Sequence, residues 1–440
     1  MSYTKSTDFE AKDSLLSGNP AKLIKGVEID DEFDAIQTAD ALNAKGAARS
    51  TDNAIARFDS TSGKALQNSA VTIDDSGNMS TAGTLVMGSA FGHRNKIIGG
   101  DFTTNPWQRG TTFTAPVTVT YVADRWQLSY VCDGVVNILK TADAPTVAQA
   151  GVFTQHCLHV DVTTADATIA AAQYYLVTQK IEGLNAASFG FGQAGTRYVT
   201  LSFWHKHTKT GTYCVSLANS AADRCYIAEY TQDVTDTWEQ ATVTLAVDTS
   251  GTWLYDTGVG LRIYFSVAMG SNFHTTANTW TAGNLYATSN QVNALDSTAN
   301  NFKIALVQLE AGSVATPFET RPYGTELALC QRYYYRLNGA AGIPRVASGF
   351  SVSTTVADFV RSVPVTMRTA PSALEQSGTA TDYNLVFGGT NANGASVPTI
   401  GACSADTVAF TYTTAAVMTL GQGCLARQNT NGYLGWSAEL

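Results

Sequence analysis

Hydrophobic and polar positions alternate with a period of two through much of this chain. Val199, Leu201 and Phe203 alternate with Thr200, Ser202 and Trp204, and Val243, Leu245 and Val247 with Thr242, Thr244 and Ala246. Leu261, Ile263, Phe265 and Val267 alternate with Arg262, Tyr264 and Ser266. Successive side chains of a strand point to opposite faces, so the pattern predicts strands with one face in a core and one in water. Several such strands between Gly/Asp/Ser-rich turns predict a two-sheet jelly roll. Phe302 to Leu309 is instead continuously apolar, which predicts one strand buried on both faces. Ala311-Gly312-Ser313 breaks that run, and Pro317 and Pro322 delay any helix. After Gly324, the residues Leu327, Cys330, Tyr334 and Leu337 recur at steps of three and four, the stripe of a short helix.

The ends of the chain differ from this middle. Within 1–48 the candidate helix Glu28 to Lys45 carries a partial stripe, Ile29, Phe33, Ile36 and Leu42, too short to be stable alone in water. Residues 49–95 read as short β segments, Ala54 to Phe58 and Val71 to Asp74, followed by the turns Ser62-Gly63 and Asp75-Ser76-Gly77-Asn78. Such runs cannot close a core within one chain. They suit an intertwined shaft of several chains, or a Ser/Gly linker. The pattern thus predicts a mainly β protein in four parts. These are a helical N-terminal segment (1–48), a β shaft (49–95), a jelly-roll β-sandwich (96–324), and a short helix with a C-terminal β-rich tip (325–440).

Composition sharpens this picture by exclusion. The 440 residues allow two or three cored units. Charged residues make up only 14% of the chain and the net charge is -9. Nucleic acid is therefore excluded as a main partner, because phosphate binding needs clustered Lys and Arg. No run approaches the ~18 apolar residues of a membrane span, so no membrane insertion is expected. The N-terminus lacks the cationic start and apolar core of a secretory signal, and the expectation is folding in a cytoplasm. Seven scattered cysteines, an odd number without Cys-x-x-Cys, read as buried free thiols.

Candidate chemistry is sparse. There is no G-x-S-x-G elbow, no H-E-x-x-H and no G-x-x-x-x-G-K-[ST] loop, so no catalytic residue is assigned. Acidic residues are present, but a pair working across strands is invisible to a sequence. His205 and His207 share one strand face, yet that face continues Val199, Leu201 and Phe203, which makes them hydrogen-bonded core histidines rather than metal ligands. His156 and His159 are read the same way. Aromatics carry the better signal, because sugar rings present C–H faces that lie against Trp or Tyr. Alternation puts Tyr198, Trp204 and Tyr264 on the hydroxyl-rich side of their strands. The competing reading sets that face under a loop or against another subunit. In the tip, Trp436 joins them as a candidate glycan contact, beside Tyr383, Tyr412 and Tyr433.

Certain stretches resemble a known family. VQLE-x-G-x-x-A-T-P-F-E-x-R followed by LCQRYY, at 307–334, resembles a junction recurring in tail-fibre proteins of tailed bacteriophages. KSTDFEAKDSLLSGNPAKLIKGVEIDDEFDAI resembles the start of phage fibre proteins, and RFDSTSGKALQNSAVTIDDSGNMSTAGTL a fibre shaft. IIGGDFTTNPWQRG, VTLSFWHKHTKTGTY and FKIALVQLE resemble carbohydrate-binding-module-like sandwiches carried by such fibres. The resemblance implies a homotrimer in the virion tail, folded in the host bacterial cytoplasm. It would be anchored to other tail proteins by its N-terminus and would bind a bacterial surface glycan for adsorption. No cofactor is implied beyond a structural calcium at the corner of Asp101 and Glu310. The alternatives are a structural virion fibre (a head fibre or fibre base), a capsule-degrading tailspike, and a cellular carbohydrate-binding module.

Overall fold

The computed structural model describes residues 5–42, 54–58, 66–75, 79–81, 93–342 and 344–440. The chain divides into two compact units, Met1–Val86 and Met87–Leu440.

In the first unit, helices α1 (Phe9–Asp13) and α2 (Gly26–Leu42) are tied together by polar contacts. The Glu28 carboxylate accepts from Lys12 Nζ at 2.5 and 2.6 Å, and from the backbone N–H of Lys25. Glu32 accepts from the N–H groups of Ser6 and Thr7. Helix α2 begins two residues before the predicted start and runs to Leu42; the predicted extension to Lys45 lies outside the described residues. Its apolar stripe stays in solvent, Val27, Ile29, Phe33 and Ile36 all being exposed. Strands β1 (Ala54–Phe58), β2 (Leu66–Ile73) and β3 (Met79–Thr81) form one antiparallel sheet. The Ser62-Gly63 turn and most of the remaining predicted shaft lie outside the described residues.

The second unit opens with the predicted sandwich. Its strands are β4 (Thr112–Thr114), β5 (Trp126–Val131), β6 (Val135–Thr141), β7 (Cys157–Thr164), β8 (Tyr174–Glu182), β9 (Tyr198–His207), β10 (Gly211–Ala218), β11 (Arg224–Gln232), β12 (Glu239–Ala246), β13 (Val259–Met269), β14 (Trp280–Ala282) and β15 (Asn301–Ala311). They form two six-stranded antiparallel sheets, β14-β11-β10-β13-β8-β5 and β12-β9-β15-β7-β6-β4. The inner faces meet in one core. Val199, Leu201 and Phe203 lie in it with Leu261, Ile263 and Phe265, and the rings of Phe203 and Phe265 meet edge-on at 5.0 Å. The predicted inward faces are therefore the observed ones. Strand β15 is central to its sheet, and Phe302 to Glu310 are all buried, as the apolar run requires.

The outer faces depart from the expectation of water. Strand β12, at a sheet edge, shows clean in-and-out alternation along its length. Strands β9 and β13 are buried on both sides because connecting segments lie across them. Over β9 and β15 runs 143–156, including α3 (Val147–Ala150), whose capping box joins Thr146 to Gln149. Asp143 anchors this lid, accepting from Trp238 Nε1 at 3.0 Å and from Lys303 at 2.7 Å. Residues Phe273, Leu285, Tyr286 and Ala287 cover the outer face of β13.

The motif-bearing stretch 307–334 begins with a clasp that closes the sandwich. Gln308 Nε2 donates to Glu310, whose carboxylate also accepts from Thr316; Glu319 N–H donates to Gln308 Oε1. The Glu319 carboxylate holds the N–H of Asn95, and Asn95 bridges Val307 and Leu309 of β15. Gly100 lies so close to β15 that a Cβ on it would sit 2.3 Å from the Val307 carbonyl oxygen.

Helix α4 (Tyr323–Gln331) is shorter than the stripe predicted. Tyr334 and Leu337 belong to strand β16 (Tyr334–Asn338), paired opposite Ser437 and Leu434. Three consecutive tyrosines favour extended backbone, and a ladder partner is available to satisfy it. Strands β17 (Arg345–Ser351), β18 (Val356–Ser362), β19 (Ala373–Gln376), β20 (Tyr383–Phe387), β21 (Thr390–Asn393), β22 (Thr399–Ile400), β23 (Thr407–Thr413), β24 (Gly423–Gln428) and β25 (Tyr433–Ser437) complete the chain. They build a three-stranded sheet, β16-β25-β19, and a seven-stranded one, β21-β20-β24-β17-β18-β23-β22. Arg332 grips Glu182 of the sandwich at 2.6 and 2.9 Å, and buried Arg125 pairs with Glu439.

Candidate functional site

The sandwich is open along one edge. Strand β14 pairs with β11 only at Arg224 to Tyr226, so the far end of β11 has no strand beyond it. Strand β12 ends the other sheet. Between these two edges lies a cleft of about 520 Å³. Alternation in β11 turns Glu229 and Thr231 outward while Ala228, Tyr230 and Gln232 are buried. The same rule on β12 exposes Gln240 and Thr242 on either side of buried Ala241. His205 and Tyr230 supply buried lining, and Asp233, Thr237 and Glu239 complete the polar walls.

Glu229 links this cleft to a second one of about 540 Å³, lined also by His274, Thr275, Thr276, Thr288, Ser289 and Asn290. Its carboxylate accepts from Thr288 Oγ1 and, at 3.0 Å, from Asn290 Nδ2. Glu239 accepts the N–H groups of Asp233 and Val234 at 2.9 and 2.7 Å, which fixes the turn at the cleft mouth. Among the described residues, neither cleft is lined by Lys or Arg. The surface offers hydroxyls, amides and carboxylates, groups that bind the rim of a sugar through hydrogen bonds.

The core histidines behave as expected. His205 Nδ1 lies 2.9 Å from Gln232 Oε1, and His207 Nε2 lies 3.2 Å from the Tyr230 hydroxyl. Burial pushes both rings below the usual imidazole range, and His159, beside Thr141, down to about 4. Among the described residues no three His, Cys, Asp or Glu side chains gather to hold a metal. All seven cysteines are free thiols and five are buried.

The predicted aromatic platform is not assembled. Trp204 does point away from Phe203, but it is 9% exposed and packs with Cys157, Trp238, Ala305 and Leu306 beneath the lid. The loop-covered alternative is the one observed. Tyr264 is covered by Tyr286, ring centroids 4.9 Å apart, and Trp436 is fully buried in the terminal core. None of these three can meet a sugar face. Tyr198 is exposed, but it stands at the opposite end of β9 from His205.

The calcium corner does not fit a cation either. Arg94 lies 3.7 Å from Glu310, and Arg321 sits between the carboxylates of Glu319 and Glu326. The void bordered by Asp101 is about 10 Å³, room for a water at most. Guanidinium groups already supply the positive charge.

Sequence reasoning missed Glu229, Glu239 and Gln240. Polar positions in alternating strands were visible, but their meeting at one edge depends on which strands end each sheet.

No family model and no curated protein matches this chain. Among solved structures it is similar to the enzymatically active domain of tailspike protein 4 of bacteriophage CBA120, at 13% identity and a TM-score of 0.27. That overlap covers 50% of this chain and 21% of the tailspike chain, about a fifth of its length. A putative sugar-binding protein from Bacteroides thetaiotaomicron overlaps 49% of this chain and 99% of its own, at 11% identity and a TM-score of 0.26. The family 11 carbohydrate-binding module of Clostridium thermocellum, solved with a mixed-linked tetrasaccharide, overlaps 47% of this chain and 98% of its own, at 9% identity and 0.24. At these values none of the likenesses bears on what this chain binds.

Proposed function

We propose that this protein is a non-enzymatic glycan-binding fibre protein of a phage virion, carrying its sugar site at the open edge of the sandwich. The observation that carries the reading is the polar cleft between β11 and β12, continuous through Glu229 with its neighbour. A cleft of this size accommodates a few sugar rings, and its hydroxyls and carboxylates match their hydrogen-bonding rims. Glu229 and Glu239 both already bind protein donors. Neither stands free as the acid or the base of a hydrolytic pair, which favours binding over cleavage.

The exposed stripe of α2 supports docking of the N-terminal arm, either on other tail proteins or on two further copies of the chain. Three weak sites on one particle multiply into useful avidity. Adsorption of virions to a bacterial surface is the role this arrangement serves. Gln240→Arg with Thr242→Arg tests the site, since both positions are exposed and the longer side chains fill the cleft. Sugar binding by calorimetry and adsorption to host cells should both fall by at least about tenfold, with melting unchanged. Undiminished binding would move the receptor contact elsewhere. Sedimentation mass of the full chain should be that of a trimer; a monomer stable on dilution removes the avidity argument.

A further inference from the structure

The hydrogen-bond network beneath the cleft determines which ring nitrogen of His205 carries its proton. The Gln232 side chain donates from Nε2 to the carbonyls of Val234 and Thr237, both at 2.8 Å. Its Oε1 accepts the His207 backbone N–H at 2.8 Å. Reversing the amide would set donor against donor at His207 and acceptor against acceptor at both carbonyls, so the orientation is unique. Oε1 can only accept, and therefore His205 Nδ1, 2.9 Å away, must be the protonated nitrogen. Burial keeps the ring neutral. Nε2 is then a lone-pair acceptor. His205 lines the cleft although only 1% of it is exposed, and no described protein group pairs with its Nε2.

Every charged group that joins His205 in lining this cleft is also an acceptor: Glu229, Asp233 and Glu239. We infer that the cleft is an acceptor-rich site for neutral or amine-bearing sugars. His205 Nε2 takes an O–H or N–H hydrogen from the ligand, and uronic, sialic and phosphorylated glycans are rejected. An anionic sugar would bring like charge against the carboxylates with no cation to offset it. A free amine on the sugar supplies both positive charge and donors. This inference rests on the glycan-binding reading and specifies its substrate class.

The test titrates the full-length protein with three probes: a glucosamine tetramer, an N-acetylglucosamine tetramer and a galacturonate tetramer. The glucosamine probe should bind at least about tenfold more tightly than the galacturonate, with the neutral probe between. Glu229→Gln with Asp233→Asn should narrow the ranking by charge, bringing the glucosamine and galacturonate probes closer together, with Glu239 still charged. His205→Phe should weaken all three by about tenfold or more. Because that variant disturbs Gln232, the nitrogen-15 shifts of the native His205 ring supply a second reading. Nε2 should resonate as an unprotonated nitrogen and move when the neutral probe is added. Equal binding of galacturonate and glucosamine, or an Nε2 that carries the proton, would overturn this inference while leaving glycan binding intact. Silence from all three probes, with no shift at His205, would overturn the glycan reading together with it.

Discussion

Replacing Trp204 by alanine separates a sugar platform from a packing residue. The indole is 9% exposed and fills the space between the outer face of β9 and the lid, against Cys157, Trp238, Ala305 and Leu306. Removing a buried aromatic of this size costs about 3–5 kcal/mol, the transfer term plus the cavity left behind. The compact unit Met87–Leu440 has about 350 residues, and at ~2.1 cal/mol/K per residue its unfolding entropy is about 0.7 kcal/mol/K. The melting temperature should therefore fall by about 4–7 °C. Differential scanning calorimetry measures the shift, and titration with the sugar tetramers measures binding in the same samples. Trp204→Ala should bind as the native protein does at a temperature where both are folded, because Trp204 lines neither cleft. Tyr198→Ala, at an exposed position, should change stability by no more than about 0.5 kcal/mol. A Trp204→Ala protein that melts with the native one but no longer binds sugar would refute this reasoning. It would show that the lid opens and the indole is the contact.

Two further substitutions probe the lid and the clasp. Burial works to raise the Asp143 carboxyl, but hydrogen bonds from Lys303, Trp238 and Lys206 outweigh it and hold the group at about 2, against 3.8 unperturbed. A carboxylate lowered in the folded state stabilises fully above its unfolded value and loses that contribution as pH falls towards the folded one. Asp143→Asn should thus cost about 1–2 kcal/mol near neutral pH, discounted for its partial exposure. The gap in melting temperature between variant and native should close between about pH 4 and pH 2, and a gap constant across that window would count against the anchor. Gly100→Ala forces a methyl group towards the Val307 carbonyl and should destabilise by about 1–3 kcal/mol or prevent accumulation of folded protein. Native-like yield and melting would mean that the clasp adjusts freely.

The sequence by itself determined the class of the protein and the inner faces of its sandwich. Alternation in Val199 to Phe203 and Leu261 to Val267 is a property of strand geometry, so core-facing residues can be read without knowing any neighbour. The same holds for Phe302 to Leu309, where the absence of polar positions already says that both faces are covered. Trp204 and Tyr264 mark where that reasoning ends. Alternation gives the side of the sheet on which a residue stands, but not whether another segment lies over it. Here 143–156 and 271–287 do so, by contacts distant in sequence. The stripe through Tyr334 failed for a related reason, since spacings of three and four persist by chance where a ladder partner, β25, claims the backbone. The cleft was least legible of all. Glu229, Glu239 and His205 come from three strands, and only the order of strands in two separate sheets puts them at one open edge. The protonated nitrogen of His205 depends further on a single glutamine amide, held in place by two carbonyls of a turn.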